Sequence, residues 1–181
     1  MSEHLCGFIE GGDPATWFPD MWRYLVETAG VRSVLDLGCG EGHSLKFFEE
    51  LGCWVVGVDG VAQEHRMIFK NDFTVNAWRP TRPVDLVWCC EFVEHVEERY
   101  AHNFVPALQR GGLVLMTHAF PGQPGFHHVN CRDAEYWKGF MTAAGFEYDY
   151  PLSLVTRELA KKNTDPHNHY LRSGMAFRRG G

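Results

Sequence analysis

The sequence predicts an α/β fold built on a parallel sheet covered on both faces by helices, and three observations predict it. Strand-like and helix-like segments alternate from about residue 31 onward, the strand segments are apolar runs, and the chemically notable residues fall where strands end. Strands buried on both faces read as continuous apolar runs, and helical crossovers make them parallel. The 181 residues, 45% hydrophobic and 22% charged, fit one domain with one sizeable core and no linker or repeat.

Residues 1–30 precede the first strand and carry Trp17, Phe18, Met21, Trp22 and Leu25, a pattern for a packed helical cap. Val31 to Leu37 is β-rich and runs into a glycine cluster. Ser44 to Leu51 sets Leu45, Phe48 and Leu51 at helical spacing, with Gly52 as the stop. Trp54 to Val58 is a buried strand ending at Asp59. A short helix is expected over Val61 to Arg66 and a short strand over Met67 to Phe69. After the polar stretch from Asn76 to Pro83, a strand follows at Val84 to Cys90. A helix is expected over Glu97 to Leu108, with Pro106 in its last turn. Leu113 to Thr117 is the next strand. Asp133 caps a helix reaching Ala144 and stopped by Gly145. Phe146, Tyr148 and Tyr150 alternate as one strand face, and Tyr170 to Phe177 reads as the last strand.

Composition excludes several function classes. No window is apolar enough to span a membrane, and a net charge of −6 disfavours broad nucleic-acid binding. The six cysteines form no Cys-x-x-Cys pair, so reduced thiols in the cytosol are expected.

The main motif is Val34-Leu-Asp36-Leu-Gly38-Cys39-Gly40-Glu-Gly42. Glycines at a strand-to-helix turn let the backbone bend sharply and approach a ligand closely. Asp59, ending the second strand, is placed to accept from both hydroxyls of a ribose. The rival reading is a dinucleotide loop, whose third glycine would fall at position 43, where this chain has histidine. Asp36 suits the ammonium of an amino-acid ligand and would repel a pyrophosphate.

On these residues, together with Val58-Asp59-Gly60, Asn71-Asp72-Phe73, Asp85 to Val96 and Arg110-Gly-Gly112, the chain resembles the class I S-adenosylmethionine-dependent methyltransferases of the type 11-like group. The resemblance covers roughly residues 30–120. It implies a Rossmann-like, doubly wound sheet of seven strands, the last antiparallel, with S-adenosylmethionine as cofactor. Carried over by position, Asp36, Gly38, Cys39 and Gly40 hold the methionine end. Asp59 and Gly60 hold the ribose, Asp72 meets the adenine amine, Phe73 covers the ring, and Glu91 lies beside the transferred methyl.

Glu91, Glu94 and His95 fall within one helical turn, a half-shell for a divalent cation such as Mg²⁺. With His128 they resemble the Glu-x-x-Glu-His segment and later histidine of small-RNA 2′-O-methyltransferases and some ubiquinone-pathway O-methyltransferases, which bind a metal there. A metal-free role is open beside it, with His95 packing on cofactor or loop and Glu94 accepting a backbone hydrogen bond.

His118, His127 and Glu91 are the candidates for handling the acceptor's proton. Trp17, Phe18, Phe120, Phe126 and Trp137 are expected to wall an acceptor pocket that the loop Pro121 to Gly125 closes. The remaining histidines (4, 43, 65, 102, 167, 169) are scattered, and most of them are expected on the surface. The expected activity is O-methylation of a small hydroxylated molecule, a sugar or another polar metabolite, with no membrane or nucleic-acid partner. Methylation of a terminal RNA ribose, and an inactive cofactor-binding partner subunit, are the two rivals.

Overall fold

The structure is a computed structural model that describes residues 5, 10–61 and 66–181. The helix expected over Val61 to Arg66, and the expectations for His4, Cys6 and His65, fall largely or wholly outside the described residues.

The elements run α1 (Pro19–Glu27), β1 (Ser33–Leu37), α2 (His43–Glu50), β2 (Trp54–Asp59), β3 (Ile68–Lys70), β4 (Val84–Cys89), α3 (Val105–Leu108), β5 (Gly111–Met116), α4 (Ala134–Ala143), β6 (Phe146–Tyr148), α5 (Tyr150–Ala160), α6 (His169–Ser173) and β7 (Met175–Arg179). They form one seven-stranded sheet in the order β3-β2-β1-β4-β5-β7-β6, parallel except for β7. The expected architecture is therefore present, last strand included.

Period-two alternation splits the strands between two cores. Leu35, Leu37, Val87 and Cys89 face one, with Phe104 and Trp137; Val34, Leu86 and Trp88 face the other, with Trp22, Phe48 and Tyr170. The second core is where the N-terminal segment docks: Met21, Trp22, Leu25 and Val26 of α1 are buried there, as the cap reading requires. Among the described residues no helix is long and apolar enough to cross a membrane.

Three expectations need correction. Glu97 to Leu108 is not one helix: a 3₁₀ turn covers Glu98–Asn103 and α3 follows. Pro106 has no N–H and its ring displaces the carbonyl four residues back, so it is accommodated at the start of a new helix. Tyr170 to Phe177 is not one strand either. Asn168 caps α6 by accepting from Leu171 N–H at 2.9 Å, and β7 begins only after Gly174, whose missing Cβ leaves room for the Tyr170 ring. Finally, β6 stops at Tyr148 and α5 begins at Tyr150, with Asp149 accepting from Leu152 N–H and Pro151 in the first turn.

Candidate active site

β1 lies at the sheet centre, between β2 and β4, so the chain leaving it must turn back sharply to enter α2. Gly38, Gly40 and Gly42 do this at φ +82°, +49° and +76°. These are left-handed conformations that favour glycine. Gly38 and Cys39 N–H donate to Val58 O at 2.9 and 3.3 Å, and Gly40 N–H donates to Asp59 Oδ2 at 2.9 Å. The loop is thereby tied to the end of β2. A Cβ at position 38 would lie 2.7 Å from the Phe92 ring.

Two acids sit in this cradle. Asp36 is buried and accepts from the Ser44 hydroxyl. Burial pushes its carboxyl up to about 7 against the pull of Ser44, and the Asp59 charge adds to the rise. Burial raises Asp59 as well, against N–H groups of Val61, Gly40 and Gly60 that stabilise its charge. Buried carboxylates without a cation are what the ammonium of an amino-acid ligand would relieve.

Two cavities meet over the loop. The smaller, about 120 Å³, is lined by Asp59, Gly60, Asn71, Asp72, Phe73 and Thr74, among others. The larger, about 740 Å³, is lined by Asp36, Ser44, Trp17, Trp88, the Gln123–Phe126 stretch, His128 and His169, among others. Gly38, Gly40, Glu91 and His95 border both. All the residues expected to bind cofactor thus lie on one continuous surface; Cys39 lines the larger cavity, and burial pushes its thiol up.

Glu91 is the pivot of this surface. It takes φ +52°, rare for a residue with a side chain. Its N–H donates to Thr117 Oγ1 at 2.7 Å, and that hydroxyl donates back to Glu91 Oε1 at 2.8 Å. Glu91 Oε2 lies 3.0 Å from His169 Nδ1, and His169 Nε2 lies 3.4 Å from Asp13 Oδ2. Burial pulls His169 down, but its hydrogen bonds to Asp13 and Glu91 win and raise it to about 9. Burial raises Glu91, and the His169 hydrogen bond and charge outweigh it, leaving the carboxyl below its ordinary value. At neutral pH an imidazolium is held between two carboxylates. His169 was expected on the surface and Asp13 was not singled out; no local pattern marks either, because α6 and the N-terminal segment meet only in the fold.

Of the four expected metal ligands, Glu91, His95 and His128 line the larger cavity, and Glu94 lies buried in the turn after β4. Glu94 is fully buried and its carboxylate accepts no hydrogen bond from a described residue. Burial, and then the Glu91 charge, push its carboxyl well above the ordinary value. Its backbone carbonyl instead accepts from Val129 and Asn130 N–H at 2.9 and 3.0 Å, tying the 126–130 loop to the turn after β4. Burial, then the neighbouring His128, lowers His95 to about 4. The two rings stand edge-on, 5.1 Å apart. Among the described residues no group of three or more His, Cys, Asp or Glu is arranged to hold a metal ion.

The other expectations divide. His118 is buried, packs on Phe120 with ring centroids 5.1 Å apart, and lines neither cavity; its N–H donates to Ser173 Oγ. His127 lines neither cavity, while His128 does, held by Nδ1 donating to Gln123 O at 3.2 Å. Trp17 and Phe126 wall the larger cavity as expected, but Phe18 and Trp137 belong to the cores and Phe120 stands outside. His43 lines the cavity, paired with Glu41 at 3.1 Å, and does not lie free on the surface.

Comparison with known proteins agrees with this fold. A sugar N-methyltransferase from Streptoalloteichus sp ATCC 53650 superposes with a TM-score of 0.66 at 15% identity, over 94% of this chain and 90% of that one. Magnesium protoporphyrin IX methyltransferase from Synechocystis PCC 6803, with bound SAM, superposes with a TM-score of 0.59 at 13% identity, over 88% of this chain and 76% of that one. In sequence the chain is 31% identical over 102 residues to a ubiquinone biosynthesis O-methyltransferase of Bradyrhizobium sp. (strain ORS 278), over 49% of this chain and 40% of the relative. It spans well under half the length of that curated relative. Residues 17–150 match the methyltransferase domain family, and with the glycine loop, Asp59 and the two joined cavities in that family's fold, this chain belongs to it.

Proposed function

We propose that the protein transfers the methyl group of S-adenosylmethionine to an oxygen of a small hydroxylated molecule, a sugar or similar polar metabolite, held in the larger cavity. The observation that carries this reading is Glu91, an ionised carboxylate on the wall common to both cavities.

When bound, S-adenosylmethionine supplies an electrophilic methyl on a sulfonium sulfur. The residues must then hold an acceptor oxygen in line with the carbon–sulfur bond at near-attack distance, exclude water, and take the hydroxyl proton. Asp36 faces the donor's ammonium and Asp59 its ribose. Glu91 has lone pairs left after Thr117 and His169 are satisfied. It accepts the hydrogen bond of the attacking hydroxyl and takes its proton as the carbon–oxygen bond forms and the carbon–sulfur pair returns to sulfur. Trp17 and the 123–126 stretch wall the acceptor side against water. No step requires a metal. The 31% identity to an O-methyltransferase supports oxygen as the target atom.

The test is methyl transfer from labelled S-adenosylmethionine to a panel of polyols, phenols and amines, with Glu91→Gln as control. Transfer to oxygen, with kcat lowered by about 100-fold or more in the variant and much less change in product-cofactor affinity, is expected. Transfer confined to amines, or an unchanged kcat, would overturn the reading.

A further inference from the structure

The larger cavity has an unbalanced wall. Besides Asp36, which faces the donor's ammonium, Asp13, Glu41 and Glu91 line it, and among the described residues no lysine or arginine does. Stretches 1–4, 6–9 and 62–65 contain neither residue type. The basic side chains at the wall are histidines, and two of them are already paired with carboxylates. His169 spends both ring nitrogens on Glu91 and Asp13, and His43 Nε2 pairs with Glu41. His128 donates Nδ1 to Gln123 O, and His95 stands edge-on to His128 with its own Nδ1 buried.

An anionic group entering this space would give up its hydration and meet carboxylates with no lysine or arginine to pair with. Burying an unpaired charge is costly, and like charges brought together cost several kcal/mol more. Aromatic rings of Trp17, Trp88 and Phe126 complete the wall, offering flat apolar surface to the carbon skeleton of a neutral molecule. The donor's sulfonium charge disappears in the transfer, so it gives an acceptor anion no lasting partner.

We propose that the acceptor is an uncharged hydroxylated molecule, and that this cavity rejects the phosphorylated or carboxylated counterpart of the same compound. The proposal rests on the methyl-transfer reading for what occupies the donor side, but the charge of the wall is independent of it.

Trp17, Trp22 and Trp88 line the cavity, so their fluorescence reports binding without turnover. Protein saturated with S-adenosylhomocysteine is titrated with two matched pairs: catechol against protocatechuate, and methyl glucoside against glucose 6-phosphate. The neutral member of a pair is expected to bind at least about tenfold more tightly, and Glu41→Lys, which puts a cation on the wall, is expected to narrow that gap. Equal or tighter binding of an anionic member, an unchanged gap in the variant, or no quenching by any member would overturn the proposal. Failure of S-adenosylhomocysteine itself to bind would instead sink the methyl-transfer reading, and the same pairs titrated into the ligand-free protein would still read the charge preference.

Discussion

Asp36 is where stability and binding pull in opposite directions. Its carboxyl sits near 7 in the folded chain against an ordinary 3.8, so the ligand-free protein holds a proton there that the unfolded chain gives up. The stability this proton contributes is complete below about pH 4 and is lost as pH rises through about 7. Asp36→Asn removes the titration. At pH 8 the ligand-free variant should melt a few degrees higher than the parent, and the difference should vanish near pH 4; thermal melts across that window check it. The same substitution should weaken S-adenosylhomocysteine by about tenfold or more at pH 8, because an ionised acceptor for the ammonium is gone. A variant that gained stability and kept full affinity would place the amino-acid end of the ligand elsewhere. Glu91 and His169 follow the same logic from the other side. His169→Ala leaves the Glu91 and Asp13 carboxylates without their shared partner, and kcat should fall more than cofactor affinity, as steady-state kinetics and titration would show.

At the scale of elements, legibility tracked the source of each element's order. Strands β1, β2, β4 and β5 and helices α2 and α4 are held by apolar burial and terminal caps, which a linear pattern displays, and the sequence reading placed them within a few residues. Helix α5 escaped because its buried side includes Ser153, Thr156 and Ala160, and both hydroxyls bond back to backbone carbonyls within the helix. An apolar periodicity does not register such a face. The glycine loop and the acid that ends β2 were legible as a turn and a strand end because both are local in sequence. The Asp13–His169–Glu91 bridge was not, since its members come from three distant segments. The same holds for Asn163, whose Nδ2 donates to Pro14 O and Trp17 O at 2.8 and 2.9 Å and ties the N-terminal segment to the chain after α5. Asn163→Ala should cost about 1 kcal/mol of stability and raise amide exchange over residues 13–18. Exchange mass spectrometry showing no change there would mean that other contacts hold the segment.

For the whole molecule, the strand order decides where chemistry sits. From β1 the chain works outward to β3, then returns to β4 on the other side of β1. That reversal opens a crevice at the carboxyl ends of β1 and β4, the usual ligand position in open α/β sheets. The glycine loop leaves β1 on one side of it and Glu91 follows β4 on the other, so the two cavities meet where the two strands end. The most direct measurement is calorimetric titration of the ligand-free protein with S-adenosylhomocysteine, repeated on Asp59→Ala and with NAD as competitor. Saturable one-to-one binding, weakened by at least about 30-fold in the variant through loss of the charged acceptor for the ribose, and undisturbed by NAD, is the predicted result. No heat with S-adenosylhomocysteine, or displacement of it by NAD, would contradict the assignment.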